Sequence, residues 1–279
     1  GSRYNLYTDG LKIYTTIDSR LQKFAEEAVT THLSALQEDF YNHWEGYTNA
    51  PFPKDFEPEQ IDAIIDQAMK RSVRYKRLKS QVKKTDEIRK IFDQNTAMKL
   101  FSWNGKIDTI LSPRDSLVYS KFFLHSGLMS MEPSTGFVKA YVGGINYENF
   151  QYDHVTSGKR QVGSTFKPFL YSLAIQEGYS PCYQVPNVPV VFDKYKWKLE
   201  KDWSPKNSGD EELEGLTLTL KYGLANSINS VTAYIMKQIG PHAVVDLARK
   251  LGIKSKILAV PSLCLGTFDL SVYEMTGAY

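Results

Sequence analysis

Cysteine and histidine are scarce in this chain of 279 residues, with two of the former, Cys182 and Cys264, and five of the latter. The histidines are scattered without metal-ligand spacing, so no metal is expected, and no cofactor motif calls for another group. The two cysteines could bridge in an oxidising compartment, but two buried free thiols are the preferred reading. No apolar run is long enough to span a bilayer, and no signal peptide is present. Strong charge is also missing. A net charge of +3 is too small to argue for nucleic acid, and the basic stretch at residues 70–84 is offset by Asp86, Glu87 and Asp93. Gly1-Ser2 reads as a cloning remnant, which implies that sequence once preceded it.

What the chain does have is a Ser-x-x-Lys set, Ser164-Thr165-Phe166-Lys167, directly after Gly163, with Ser227-Ile228-Asn229 further along. After Ser164 the apolar residues Phe166, Phe169, Leu170, Leu173 and Ala174 follow the spacing of one buried helix face, which puts Ser164 at a helix start. Residues three apart share a side of a helix, so the Lys167 amine comes within reach of the Ser164 hydroxyl. The dipole and free amides of a helix N-terminus disfavour a positive charge, and a dry site there pushes lysine toward the neutral amine that a general base requires. Pro168 is tolerable so near the N-terminus. The pattern is that of a serine acyl transferase, with nucleophile and base on one turn.

Each motif has a decoy. Ser80-Gln81-Val82-Lys83 lies among Lys76, Arg77, Lys79 and Lys84 and reads as a solvated basic helix face, so Ser80 is assigned no chemistry. Ser102-Trp103-Asn104 precedes the candidate nucleophile and has the wrong order. Alone, Ser164 could be an ordinary N-cap and Ser227 a polar helix boundary. Together and in this order they are far more specific.

In these motifs and their order the chain resembles the class A penicillin-binding proteins, the bifunctional peptidoglycan synthases. Gly10-Leu11-Lys12-Ile13-Tyr14-Thr15-Thr16-Ile17-Asp18 is similar to the linker that follows their glycosyltransferase domain, and Met131-Glu132-Pro133-Ser134-Thr135-Gly136 to the first hairpin of their transpeptidase domain. Gly158-Lys159-Arg160-Gln161-Val162-Gly163 matches the approach to the nucleophile, and Leu224-Ala225-Asn226 the approach to the second motif. Residues 38–109 look like an insertion variable in the family.

The resemblance implies a D,D-transpeptidase that cross-links stem peptides and is acylated by β-lactams. Ser164 is then the nucleophile, Lys167 its base, Ser227 a proton relay to the leaving amine, and Asn229 the residue that holds the substrate's amide. Gly163, Trp197 and Trp203 are expected on the substrate side. Other cell-envelope proteins are possible partners. The parent protein is expected to be membrane-anchored, with this part on the periplasmic face of the inner membrane. One departure stands out: no Lys-Thr-Gly or Lys-Ser-Gly follows Asn229. The family's third motif is therefore expected to lie outside this stretch, together with part of the sheet, and the activity of the piece by itself stays open. Two alternatives also stay open, a β-lactam hydrolase or sensor on the same fold and a non-catalytic scaffold that docks another envelope protein through residues 38–109.

The expected fold is α+β, a serine β-lactamase/transpeptidase-like antiparallel sheet flanked by helices and C-terminally incomplete. A linker region is expected over residues 1–110 and a partial transpeptidase domain over 111–279. Residues 11–17 read as a strand, and Asp18 as the cap of a helix whose apolar face starts Leu21, Phe24, Ala25, Ala28. Three prolines make residues 49–58 a loop, residues 61–92 read as helical, and 100–103 as a short strand. A hairpin is expected across Pro133-Ser134-Thr135-Gly136, a long irregular wall over residues 180–215, and a helix over 242–251. Ser271-Val272-Tyr273-Glu274 has the form of a capping box, with Val272, Met275 and Tyr279 as the buried stripe behind it.

Overall fold

The computed structural model describes residues 4–5, 8–81, 84–207 and 211–279, so Gly1-Ser2 and Lys83 lie outside the described residues. The chain forms two compact units. One comprises residues 19–126 and 144–151, the other residues 1–18, 127–143 and 152–279.

The first unit is mainly helical: α1 (Ser19–Trp44), α2 (Pro58–Arg71), α3 (Val73–Gln81), α4 (Thr85–Phe92), a hairpin of β1 (Thr96–Leu100) and β2 (Ile107–Leu111), and α5 (Pro113–Lys121). The α1 stripe differs from expectation. Leu21 and Phe24 are exposed, and the buried positions are Ala25, Val29, Leu33 and Gln37, one per turn. Gln37 is buried because its amide is satisfied, donating to the Phe122 carbonyl at 2.8 Å and accepting from Leu124 N–H at 2.9 Å. A capping box of Glu57 and Gln60 opens α2, and Met69, Ile88 and Phe92 form a small core. The strand expected at 100–103 ends at Leu100, because Ser102 turns the chain by donating to the Gly105 carbonyl. Helix α5 packs on α2, so the first unit runs through α5 to residue 126.

The second unit holds the hairpin of β3 (Leu128–Met131) and β4 (Val138–Val142), then β5 (Lys159–Gln161), α6 (Lys167–Gln176), β6 (Gln184–Pro186), α7 (Lys194–Trp197), β7 (Thr217–Thr219), α8 (Leu220–Ala225), α9 (Asn229–Ile239), α10 (Pro241–Lys250), β8 (Asp269–Ser271) and α11 (Val272–Ala278). Its described strands pair antiparallel, β3 with β4, β5 with β8, and β6 with β7. Mixed helix and antiparallel strand is the expected α+β class. Residues 11–17 form no strand. The Thr16 hydroxyl donates to the Val138 carbonyl and Asp18 N–H to the Lys139 carbonyl, and two such bonds make no ladder.

The core lies around α6, α9 and α10. All five apolar residues predicted for the helix after Ser164 are buried, and Lys167 and Tyr171 join them, so α6 is buried on most of its surface and open only along Ser172, Ile175 and Gln176. Burying each large apolar side chain contributes about 1.5–3 kcal/mol, so this helix is among the firmest parts of the unit. Gly240 ends α9 and Pro241 opens α10, an abrupt corner that a left-handed glycine and an N-terminal proline allow. Ser271 caps α11 by accepting from Glu274 N–H at 3.1 Å, as the sequence predicted. The stripe behind it does not hold: only Ala278 is fully buried, and Tyr279 is exposed while its hydroxyl donates to the Thr165 carbonyl at 2.6 Å. Both cysteines are free, but Cys182 is exposed and only Cys264 is buried. Among the described residues no helix is long and apolar enough to cross a membrane.

Candidate active site

Ser164 is exposed on the 3-10 turn Gly163–Phe166, which runs straight into α6 at Lys167. Gly163 makes this entry possible. It adopts φ +56° and donates its N–H to the Gly266 carbonyl at 3.0 Å, just beyond the β5–β8 pairing and the Val162 N–H bond to the Phe268 carbonyl that extends it. Gly266 is left-handed too, and a Cβ there would lie 2.1 Å from the Gly163 oxygen. Two backbones meet where no side chain fits, and their contact presents Ser164 to solvent.

Lys167 is 1% exposed, which is rare for lysine unless its charge is satisfied. Its Nζ donates to the Ser227 carbonyl at 2.6 Å, the Ser227 hydroxyl at 2.9 Å and the Asn229 Oδ1 at 2.7 Å. The three donors of an ammonium are thus all used by the second motif. Burial nevertheless outweighs the nearby Cys264 thiol and brings the Lys167 pKa down to about 8. The same burial pushes Cys264 up to about 12, so that thiol stays neutral. Among the described residues no hydrogen bond joins Lys167 to Ser164. The helical spacing put both on one turn, while the acceptors of the second motif turned the amine toward themselves.

Ser227 sits between α8 and α9 at φ +55°, a left-handed conformation that costs a non-glycine residue about 1–2 kcal/mol. It is held by Ser227 N–H donating to the Leu224 carbonyl and Ile228 N–H to the Gly223 carbonyl. In this conformation both oxygens of Ser227 face one lysine. Asn229, the first residue of α9, donates from Nδ2 to the Lys206 carbonyl at 2.8 Å, so its other end faces Lys167. The chemistry follows from the donor inventory. As an ammonium Lys167 donates three times. As an amine it donates to the two carbonyl oxygens and keeps a lone pair that can accept from the Ser227 hydroxyl. The cluster satisfies lysine in both protonation states, which a base that gains and releases a proton requires.

Trp197 and Trp203 are placed elsewhere. Both rings pack on Phe192, at 5.2 and 5.3 Å between centroids, within the core. Among the described residues neither makes a hydrogen bond or ring contact with Ser164, Lys167, Ser227 or Asn229, because an isolated indole among charges has more to gain from apolar burial. The irregular wall instead reaches the site through the Lys206 carbonyl, which has no signature in a sequence.

The decoys resolve as structure. Ser80 is exposed on α3, a helix with no buried residue, and its hydroxyl donates to the Arg77 carbonyl at 2.6 Å. Ser102 closes the turn at the tip of the β1–β2 hairpin.

Comparison with known proteins adds two domains and several relatives. Residues 47–124 match the penicillin-binding protein middle domain and residues 127–259 the penicillin-binding protein transpeptidase domain. Most of the stretch expected to be a variable insertion is therefore a domain of its own. Penicillin-binding protein 1A of Aquifex aeolicus is 28% identical over 98% of this chain and 37% of its own length. The Pseudomonas aeruginosa protein of the same name is 34% identical over 55% of this chain and 18% of its own. A crystal structure of penicillin-binding protein 1A from Haemophilus influenzae aligns at a TM-score of 0.60 with 21% identity, over 96% of this chain and 42% of that one, a likeness of fold. The chain spans little more than a third of the length of the first of these relatives.

Proposed function

The chain belongs to the class A penicillin-binding proteins, of the 1A type, and from that premise we propose that its second unit is the catalytic part of a D,D-transpeptidase of peptidoglycan synthesis. The observation that carries the reading is the buried Lys167, three residues from an exposed serine and held by Ser227 and Asn229. The Ser164 hydroxyl attacks the penultimate D-Ala carbonyl of a stem peptide and forms an ester, its proton passing to the Lys167 amine. The backbone N–H of Ser164 is one donor to the developing oxyanion, a role worth on the order of 10² to 10³ in rate. Ser227, in contact with Lys167, carries a proton to the departing D-Ala nitrogen as the C–N bond breaks. An amine of a neighbouring strand then attacks the ester, and Ser164 regains its proton. Asn229 retains one amide hydrogen and one lone pair beyond its bonds to Lys206 and Lys167, enough to bind a peptide group. Gly163 supplies the left-handed entry that displays the serine. Penicillins acylate the same oxygen, and stem peptides meet the site on the periplasmic face of the inner membrane.

The test uses the longest natural chain that contains this sequence, with a D-Ala-D-Ala peptide and an amine acceptor. The reading expects stoichiometric D-Ala release and a peptide joined to the amine, both lost in Ser164→Ala. Release of D-Ala with water as the sole acceptor would replace transpeptidase by hydrolase.

A further inference from the structure

We infer that Asn207 is a positioning residue for the second motif: with the Lys206 carbonyl beside it, Asn207 seats the head of α9 and aims the Asn229 carboxamide at Lys167. The inference deepens the transpeptidase reading and rests on it for its functional consequence.

Helix α9 starts badly by its own sequence. Its N-cap is Ile228, which has no side-chain acceptor for the free amides of the first turn. The missing acceptor comes from another segment, because Asn207 Oδ1 accepts from Ser230 N–H at 3.0 Å. Asn207 is itself fixed. Its Nδ2 donates to Asn187 Oδ1 at 3.0 Å and lies 3.4 Å from the Ser230 hydroxyl, which donates to the same Asn187 oxygen. Asn187 Nδ2 in turn donates to the Leu213 carbonyl at 2.6 Å. Asn187 and Ser230 are buried, so each bond in the set would be costly to leave unmade.

Consecutive residues therefore hold consecutive residues, Lys206 on Asn229 and Asn207 on Ser230. The orientation of the Asn229 amide follows. The Lys206 carbonyl can only accept and the Lys167 ammonium can only donate, so the amide satisfies both in one orientation alone. Flipped, it would set donor against donor at Lys167 and acceptor against acceptor at Lys206. At its other end the segment is anchored by the paired backbone bonds between Phe192 and Trp203, at 2.8 and 3.0 Å. Trp203 thus serves the site through its backbone, two residues before Pro205.

Without Asn207 the head of α9 loses its cap, the Lys206 carbonyl is no longer held against Asn229, and the lysine's charged form loses an oriented acceptor. The titratable group that faces Lys167 from another element is the Cys264 thiol, which stays in place, and Tyr171 lies one turn along α6. The measurement is the titration midpoint of the Lys167 side chain, read by NMR on lysine-labelled protein and assigned by its absence in Lys167→Met. Benzylpenicillin acylation and thermal unfolding are followed alongside. Asn207→Ala is expected to lower the midpoint by about half a unit or more. It is also expected to slow the plateau acylation on the order of 10- to 100-fold in protein that remains folded. A folded Asn207→Ala with the midpoint within about 0.2 units and the rate within about twofold of the parent overturns the inference. If Asn207→Ala does not fold, Asn207→Ser, which keeps a shorter polar group, is read by the same two criteria. A parent protein that penicillin never acylates would sink the transpeptidase reading, while the NMR midpoint still decides whether Asn207 positions Asn229.

Discussion

Each of the two units contains a Ser-x-x-Lys and a Ser-x-Asn, yet among the described residues only in the second do the two sets meet. In the first unit Ser80 spends its hydroxyl on the Arg77 carbonyl of a solvated helix, and Ser102 spends its own on a hairpin turn. In the second, Lys167 is buried on the core face of α6, and Ser227 and Asn229 bring it three acceptors from 60 and 62 residues away. The difference lies in burial and in which distant segments arrive, since the local spacing is the same. Burial brings the Lys167 pKa down to about 8 and so poises this lysine to change its proton state near neutrality.

The comparison can be broken most sharply at that lysine. Lys167→Met keeps length and apolar volume, and acylation by penicillin is expected to fall on the order of 10² to 10⁴ in stopped-flow measurements. A loss below tenfold would deny Lys167 the role of base. The glycine contact behind Ser164 comes next. Gly266→Ala drives a Cβ toward the Gly163 oxygen and forces a left-handed alanine, so a loss of about 2–4 kcal/mol is expected by urea unfolding, with slower acylation. An unchanged urea midpoint would show that the entry to Ser164 yields freely.

The pH dependence sharpens the same contrast. The folded pKa of Lys167, about 8, lies below the ordinary value of 10.5. Between these values the unfolded chain holds more protons, so the stability contributed by this group is full above about 10.5 and is lost as pH falls through about 8. The parent should therefore gain stability relative to Lys167→Met as pH rises across this window, and parallel curves would contradict the depressed pKa. Acylation should rise through the same lower limit, as the amine becomes neutral. The smallest effect is expected at the decoy. Ser80→Ala should stay within about 0.5 kcal/mol in stability and leave acylation unchanged. A slower reaction there would erase the distinction between the two copies.

Much of this could be read from residues alone. The apolar spacing after Ser164 located α6, Ser271 announced a capped helix, and Pro133-Ser134-Thr135-Gly136 marked the β3–β4 turn. Local signals such as these survive because they state what a few neighbouring residues require. The extended stretch at residues 11–17 misled, since its β-formers met no partner strand. The α1 stripe misled because a satisfied glutamine, Gln37, was buried where Leu21 and Phe24 were not. Trp197 and Trp203 looked like cleft residues and are packed on Phe192. The grip of Lys206 and Asn207 on α9 was invisible, because a backbone carbonyl has no letter and an asparagine among charges has many uses.

The most direct test of the central claim is to treat the natural chain with a fluorescent penicillin and map the labelled peptide by mass. One adduct on Ser164, absent in Ser164→Ala and intact in Ser80→Ala, is the predicted result. An adduct on any other residue, or none under conditions where the protein is folded, would contradict it.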